Sequence, residues 1–214
     1  MGEKTGKLQL EIFPTGALGT NAYVVFDEQT KEGCLIDCPA PIDVYRDFIV
    51  KNDVSLKFLI LTHGHCDHID GVNDFLEEFS IPFYVQENDL PLLVNPLKNG
   101  SLVFGPAGIF IKQPPIFCSE KTELVCGKYQ LQIIETPGHT PGSISIKIND
   151  WLFSGDTLFY HSIGRTDFPF SDKAQLFKSL QEKILLLPPQ TVVYPGHGPA
   201  TTLAEEIENN PFIS

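Results

Sequence analysis

The chain has 214 residues, enough for one sizeable domain with a buried core. Its hydrophobic fraction of 42% is ordinary for a soluble protein, and no apolar run approaches the roughly 20 residues of a membrane helix. A formal net charge of −12 argues against nucleic acid as the main substrate, because phosphate binding needs a basic face.

Residues 1–13 contain no apolar stretch of the kind found in a secretory signal, and Gly6 stands where myristoylation requires Ser or Thr. Leu8 to Phe13 alternates in polarity and Ala22 to Phe26 is a β-branched and aromatic run, so both read as strands. Gly33 to Asp37 is a third. Pro39 and Pro41 break the chain before a short helix over Ile42 to Val50. Lys57 to Thr62 is a buried strand that runs into a histidine-rich segment. A helix over Asp70 to Phe79, a strand over Phe83 to Val85 and a short helix over Asn88 to Val94 follow. Residues 95–120 are rich in Gly and Pro, and are either an excursion over a site or an irregular joint between halves. Strands resume at Tyr129 to Glu135, Ser143 to Ile148 and Trp151 to Ser154, before a long loop from Thr157 to Phe170. The clearest helix is Asp172 to Leu187, where Leu176, Phe177, Leu180, Ile184 and Leu187 recur at helical spacing and Ser171 or Asp172 supplies the cap. A strand over Thr191 to Tyr194 and a helix over Leu203 to Glu208 come last. The element order repeats loosely in two halves. Two mixed β-sheets packed face to face with helices outside would bury this pattern as one α/β domain over residues 1–214.

Five of the six histidines and two aspartates fall in four short segments, each just after an expected strand. These are Thr62 to His68, Thr136 to Thr140, Ser154 to Thr157 and Tyr194 to Gly198. In extended backbone, residues two apart point the same way, so His63 and His65 can reach one cation together. Asp67 and His68 lie where a helix begins and turn toward a second position. His139 and His197, each beside Gly and Pro, would be ordinary loop histidines in isolation; their value lies in joining the first cluster. Asp156 ends an apolar strand, where a carboxylate is expensive to bury without a cation. Its two oxygens can serve two cations at once, which a neutral imidazole cannot do. The five cysteines, Cys34, Cys38, Cys66, Cys118 and Cys126, lack C-x-x-C spacing and read as reduced thiols of a cytoplasmic protein. Cys66 lies inside the first segment and is an alternative ligand there, although its neighbours already supply the donors. His161 fits no ligand spacing and is expected to face solvent or to support the site from behind.

The run His63-Gly-His65-Cys-Asp67-His68, followed by His139, Gly155-Asp156-Thr157 and Pro195-Gly196-His197, resembles the metallo-β-lactamase superfamily from about Leu8 to Phe212. The resemblance implies an αββα sandwich with its site at one edge between the sheets. It implies that His63, His65 and His139 hold one metal and Asp67, His68 and His197 another, with Asp156 shared. Asp37 resembles the aspartate that supports the ligands from behind in this fold; the other reading is a strand-end turn. Within the superfamily, Gly155-Asp156-Thr157-Leu158-Phe159, the run from Gly164 to Pro169, and the tail with Glu206 and Asn210-Pro211-Phe212 are similar to glyoxalase II and its shorter bacterial relatives. Arg165 falls where that group contacts glutathione; its other reading is a local pair with Asp167. The group's C-terminal helical domain has no counterpart before Ser214, and Pro199 replaces a Tyr of the glutathione site.

The function this implies is hydrolysis of a small-molecule thioester such as S-lactoylglutathione, by a water shared between two divalent metal ions and oriented by Asp67 and Asp156. Nitrogen and oxygen donors suit zinc first, and also iron or manganese. The motifs hold no dedicated acid, which fits a thiolate leaving group with a conjugate-acid pKa of about 8.5. No nucleic-acid or membrane partner is expected. The alternatives are a persulfide dioxygenase with one non-haem iron on His63, His139 and Asp156, and a lactonase or other ester hydrolase on the same fold.

Overall fold

A computed structural model describes residues 7–104 and 108–213; residues 1–6, where no targeting signal is expected, lie outside them. Strands β1 (Leu8–Thr15) and β2 (Thr20–Asp27) form a hairpin, and β3 (Glu32–Ile36) pairs antiparallel with β2. Every residue of β2 is buried, because both faces of its sheet are covered. Helix α1 (Asp43–Lys51) leads to β4 (Ser55–Ile60), which lies parallel to β3. Helices α2 (Cys66–Ile69) and α3 (Val72–Phe79) precede β5 (Phe83–Gln86). A 3₁₀ turn at Glu87–Asp89, α4 (Leu90–Leu93) and α5 (Ser101–Phe104) then lead to the edge strand β6 (Ile116–Cys118). The first sheet has the order β1-β2-β3-β4-β5-β6.

The second half adds β7 (Leu124–Cys126), β8 (Tyr129–Glu135), β9 (Ile144–Ile148) and β10 (Trp151–Gly155). A ribbon of β11 (Leu158–Phe159) and β12 (Ser162–Ile163) precedes α6 (Lys173–Ser179), and β13 (Val192–Pro195), β14 (Thr201–Thr202) and α7 (Leu203–Asn209) follow. The second sheet runs β14-β13-β10-β9-β8-β7, with β10 and β13 parallel.

Strand alternation divides the core into three layers. Ala22, Val24, Leu35 and Leu59 face Tyr45, Ile49 and Phe75 of α1 and α3. Tyr23, Val25, Ile36 and Ile60 face the second sheet through Leu131, Ile133, Ile146 and Phe153. Leu152 and Val193 pack against Leu176, Leu180 and Leu203 on the far side. The result is the expected αββα sandwich of two mixed sheets flanked by helices.

Three expected helices take a different form. The segment Asp70 to Phe79 breaks at its start, because Gly71 donates its N–H to Cys38 O (2.9 Å) and the Asp70 carboxylate takes the Ala40 N–H (2.6 Å). Asn88 to Val94 is a 3₁₀ turn running into a single α-turn containing Pro91. Asp172 to Leu187 is α6 followed by a π-helical turn over Leu180–Ile184. The wider turn offsets the drift of residues four apart, so Leu176, Leu180 and Ile184 all stay buried against the second sheet. Among the described residues, no helix is long and apolar enough to cross a membrane.

Candidate metal centre

The four segments meet at one edge between the sheets. β4 ends at Ile60, the chain bends at Thr62 and His65 is extended again, and His63 and His65 come together with ring centroids 4.9 Å apart. α2 then begins at Cys66 and turns Asp67 and His68 toward a second point. His139 follows β8, Asp156 follows β10 and His197 follows β13. Donor atoms of His63, His65 and His139 lie within 4.8 Å of one another, as do those of Asp67, His68 and His197 and those of His63, His68 and Asp156.

Asp156 stands between the two triads. Its Oδ2 is 3.4 Å from His139 Nε2 on one side and 3.6 Å from His197 Nε2 on the other, and its Oδ1 is 3.4 Å from His68 Nε2. In the second triad, His197 Nε2 is 3.1 Å from Asp67 Oδ2 and 3.4 Å from His68 Nε2. In the first, His65 Nδ1 lies 2.8 Å from His139 Nε2.

The outer ring nitrogens are fixed by partners that aim the inner ones. His63 Nδ1 meets Thr62 Oγ1 (3.1 Å), His68 Nδ1 meets Asp37 Oδ2 (2.8 Å), His139 Nδ1 meets Arg165 O (2.8 Å) and His197 Nδ1 meets Leu18 O (3.2 Å). Each arrangement leaves Nε2 facing the cluster, as ligand-supporting hydrogen bonds do in metal sites. Asp37 also accepts Thr62 N–H (2.7 Å) and Thr62 Oγ1–H (2.8 Å), so it supports the first loop and His68 together.

Whether cations fit is tested by the buried polar atoms. Among the described residues, three buried side-chain atoms lack a hydrogen-bond partner, and two of them, His63 Nε2 and Asp156 Oδ1, point into this cluster. Leaving such atoms unpartnered costs about 1–3 kcal/mol each, a penalty that coordination removes. The electrostatics agree. Burial and the neighbouring imidazoles push His63 far down, and burial pushes His65 down to about 3, so both are neutral donors. Burial opposes the charge on Asp156, but His68 and His139 hold it down at about 2. Burial disfavours protonated His68, yet Asp37, Asp67 and Asp156 outweigh it and lift its pKa well above the usual histidine value. The cluster thus attracts positive charge at its centre.

Other expected residues separate cleanly. Cys66 is buried and belongs to none of the donor groups; burial pushes its thiol up to about 11, so it is not a thiolate. His161 lies outside the cluster, with Nε2 2.8 Å from Glu205 and its N–H on Glu206. The Arg165 guanidinium is exposed and paired through two nitrogens with Asp167 (2.9 and 2.7 Å), while its carbonyl holds His139.

Several supporting residues carry no motif. Asp89 is fully buried and accepts from Gly64 N–H (2.8 Å), Gly142 N–H (2.6 Å) and Thr140 Oγ1–H (2.7 Å). One carboxylate therefore staples the His63–His68 loop to the His139 loop. Asn21 Nδ2 and Tyr23 OH hold the fourth loop through Pro195 O, at 3.0 and 2.5 Å. A side chain at Gly196 would run into Asp156 Oδ1, so the close approach of this loop requires glycine. The only trace of Asp89 in the sequence is a carboxylate beside the apolar run Leu90 to Val94.

The donors floor an open cavity of about 560 Å³ whose walls are largely apolar. A family model described as the metallo-beta-lactamase superfamily matches residues 15–197. The chain is 35% identical to the probable metallo-hydrolase YqgX of Bacillus subtilis, over 94% of this chain and 95% of that one. It is 30% identical to the hydroxyacylglutathione hydrolase GloC of Haemophilus influenzae, over 97% and 99%. Among solved structures, the BLEG-1 B3 metallo-beta-lactamase is similar with a TM-score of 0.91 at 35% identity, over 96% of this chain and all of that one. The protein TTHA1623 in a di-iron-bound form gives 0.84 at 33% identity, over 94% and 99%.

Proposed function

Because the chain belongs to the metallo-β-lactamase superfamily, we propose that it is a binuclear metallohydrolase that cleaves thioesters of the S-2-hydroxyacylglutathione type. The observation that carries this reading is Asp156, whose carboxylate lies within 3.6 Å of donor nitrogens from both triads. His63, His65 and His139 would hold one divalent cation, Asp67, His68 and His197 the other, and Asp156 both. When bound, such cations supply an acidified water and polarise the acyl carbonyl; the donor set suits zinc, and also iron or manganese.

The chain's own groups do the rest. Asp67 is ionised despite burial, because His68 and His197 stabilise its charge, and Thr20 Oγ1–H fixes its Oδ2 at 2.9 Å. Asp67 and Asp156 can therefore orient the attacking water and accept its hydrogen bonds. Phe168 packs edge-on to His65, with centroids 5.3 Å apart, and so lies beside the first triad. Departure of a thiolate needs no strong acid, and the motifs supply none. Similarity to a hydroxyacylglutathione hydrolase supports the thioester assignment.

The test is metal content by mass spectrometry together with hydrolysis of S-lactoylglutathione, in the natural protein and in Asp156→Ala. The expected result is about two metal ions per chain and turnover, with both lost in the variant. Robust hydrolysis by Asp156→Ala would overturn the bridging role. Oxygen uptake on glutathione persulfide with one iron per chain would replace the hydrolase by the dioxygenase reading.

A further inference from the structure

The segment 95–104 forms part of the cavity wall and is held there by buried Asn99. Its side-chain nitrogen donates to Leu92 O (2.9 Å) and Ile109 O (2.8 Å), and its carbonyl accepts the N–H of Cys66 (2.9 Å) inside the first ligand loop. The segment is thereby registered against the donors, not merely adjacent to them. It presents Leu97 and Val103 to the cavity, although both are about two-thirds exposed, at 67% and 68%. Exposed apolar side chains that continue the wall of a cleft are surface that an apolar ligand group can cover.

The opposite walls are also apolar and touch the donors directly. Phe168 lies against His65 and His139, and Phe159 stands 6.2 Å from His197. The two rings thus line the cavity beside different triads, Phe168 by the first and Phe159 by the second. Apart from the histidines of the floor, Arg165 and Lys98 are the cationic side chains that line the cavity among the described residues. Arg165 is largely neutralised by its two-point pair with Asp167. Lys98, with Nζ 5.1 Å from the Phe170 ring centre, is in no ion pair among the described residues.

Resting on the hydrolase reading above, we propose that the site selects thioesters with a bulky apolar acyl group over the small, polar lactoyl group. The acyl chain lies between Phe159 and Phe168 and against Leu97 and Val103, and a carboxylate of the thiol portion pairs with Lys98 at the mouth. Water adds to the acyl carbon, the C–S bond breaks with its electron pair on sulfur, and a carboxylic acid and a thiol leave.

The experiment uses the metal-loaded protein and S-acetyl-, S-butanoyl- and S-hexanoylglutathione. The expected kcat/KM rises roughly threefold to fourfold per methylene, the ratio that burial of one CH₂ gives. Calorimetry with S-methyl- and S-hexylglutathione, thioethers that cannot be hydrolysed, is expected to show the hexyl compound binding more tightly. Val103→Asp, on an exposed position, is expected to flatten both trends. Lys98→Glu is expected to raise KM for S-hexanoylglutathione but not for the uncharged S-ethyl thiohexanoate. A flat or falling acyl series with equal thioether affinities overturns the apolar selection, and an unchanged KM in Lys98→Glu overturns the carboxylate contact. Failure to hydrolyse any thioester sinks the hydrolase reading, while the thioether affinities still decide whether the cavity prefers apolar chains.

Discussion

At the scale of single residues, the site depends on side chains whose work is to hold other side chains. Asp89 has three donors and no contact with solvent. Asp89→Ala would leave the buried N–H groups of Gly64 and Gly142 unsatisfied, each costing about 1–3 kcal/mol, while the Thr140 hydroxyl keeps Ser143 Oγ as a partner. Urea unfolding of the metal-free protein is expected to show a loss of about 3 kcal/mol. Zinc affinity should fall as well, because the variant unties His63 and His65 from His139; a loss under about 1 kcal/mol with unchanged affinity would contradict the staple. The candidate ligands themselves differ in charge. Burial holds His63 and His65 neutral at pH 7, whereas carboxylates overcome burial to raise His68 and His197. A cation binds only neutral imidazole, so loading the Asp67–His68–His197 triad must expel protons, and its affinity must rise with pH. Calorimetry in buffers of different ionisation enthalpy is expected to detect proton release on zinc binding at pH 7; none would contradict the assigned charges. The residues of the candidate donor groups were legible in the sequence, because three histidines and an aspartate within six positions have few other uses. Asp89, Asn21 and Tyr23 were not, because a buried hydrogen bond to a distant backbone leaves no local pattern.

At the scale of elements, hydrophobic period located most strands and helices but not their interruptions. The strands β7 and β14, of three and two residues, are too short for alternation to register. The ribbon of β11 and β12 lies in what reads as a loop, since its pairing depends on two residues from each side. Within residues 95–120, Leu97 to Gly100 and Val103 line the cavity, fixed by Asn99 and not by any periodicity, while Ile116–Cys118 joins the first sheet. The helix α6 shows how an element is tied to the chemistry. Its cap, Asp172, accepts Gln175 N–H (3.0 Å) and donates its own N–H to Gly138 O (2.7 Å), while Ser171 Oγ–H reaches His139 O (2.9 Å). Gly138 has φ +143 and sits against the backbone of Leu176, where a Cβ has no room. Gly138→Ala therefore combines backbone strain with overpacking and is expected to destabilise the protein by about 3 kcal/mol in urea unfolding. A variant as stable as the natural protein would show that α6 docks less closely than described.

At the scale of the whole molecule, two sheets place the ends of β4, β8, β10 and β13 along a single edge, so loops more than a hundred residues apart in sequence share one floor. The order of strands and helices, with the apolar faces they imply, was enough to anticipate the sandwich. The apolar walls of the cavity were not anticipated, because Leu18, Leu97, Phe159 and Phe168 come from separate loops with no common spacing. Anomalous diffraction at the zinc edge from zinc-loaded crystals tests the central claim most directly. Two peaks about 3.5–4 Å apart, with the Asp156 carboxylate between them, are predicted. A single peak, or peaks away from His63, His139 and His197, would contradict it.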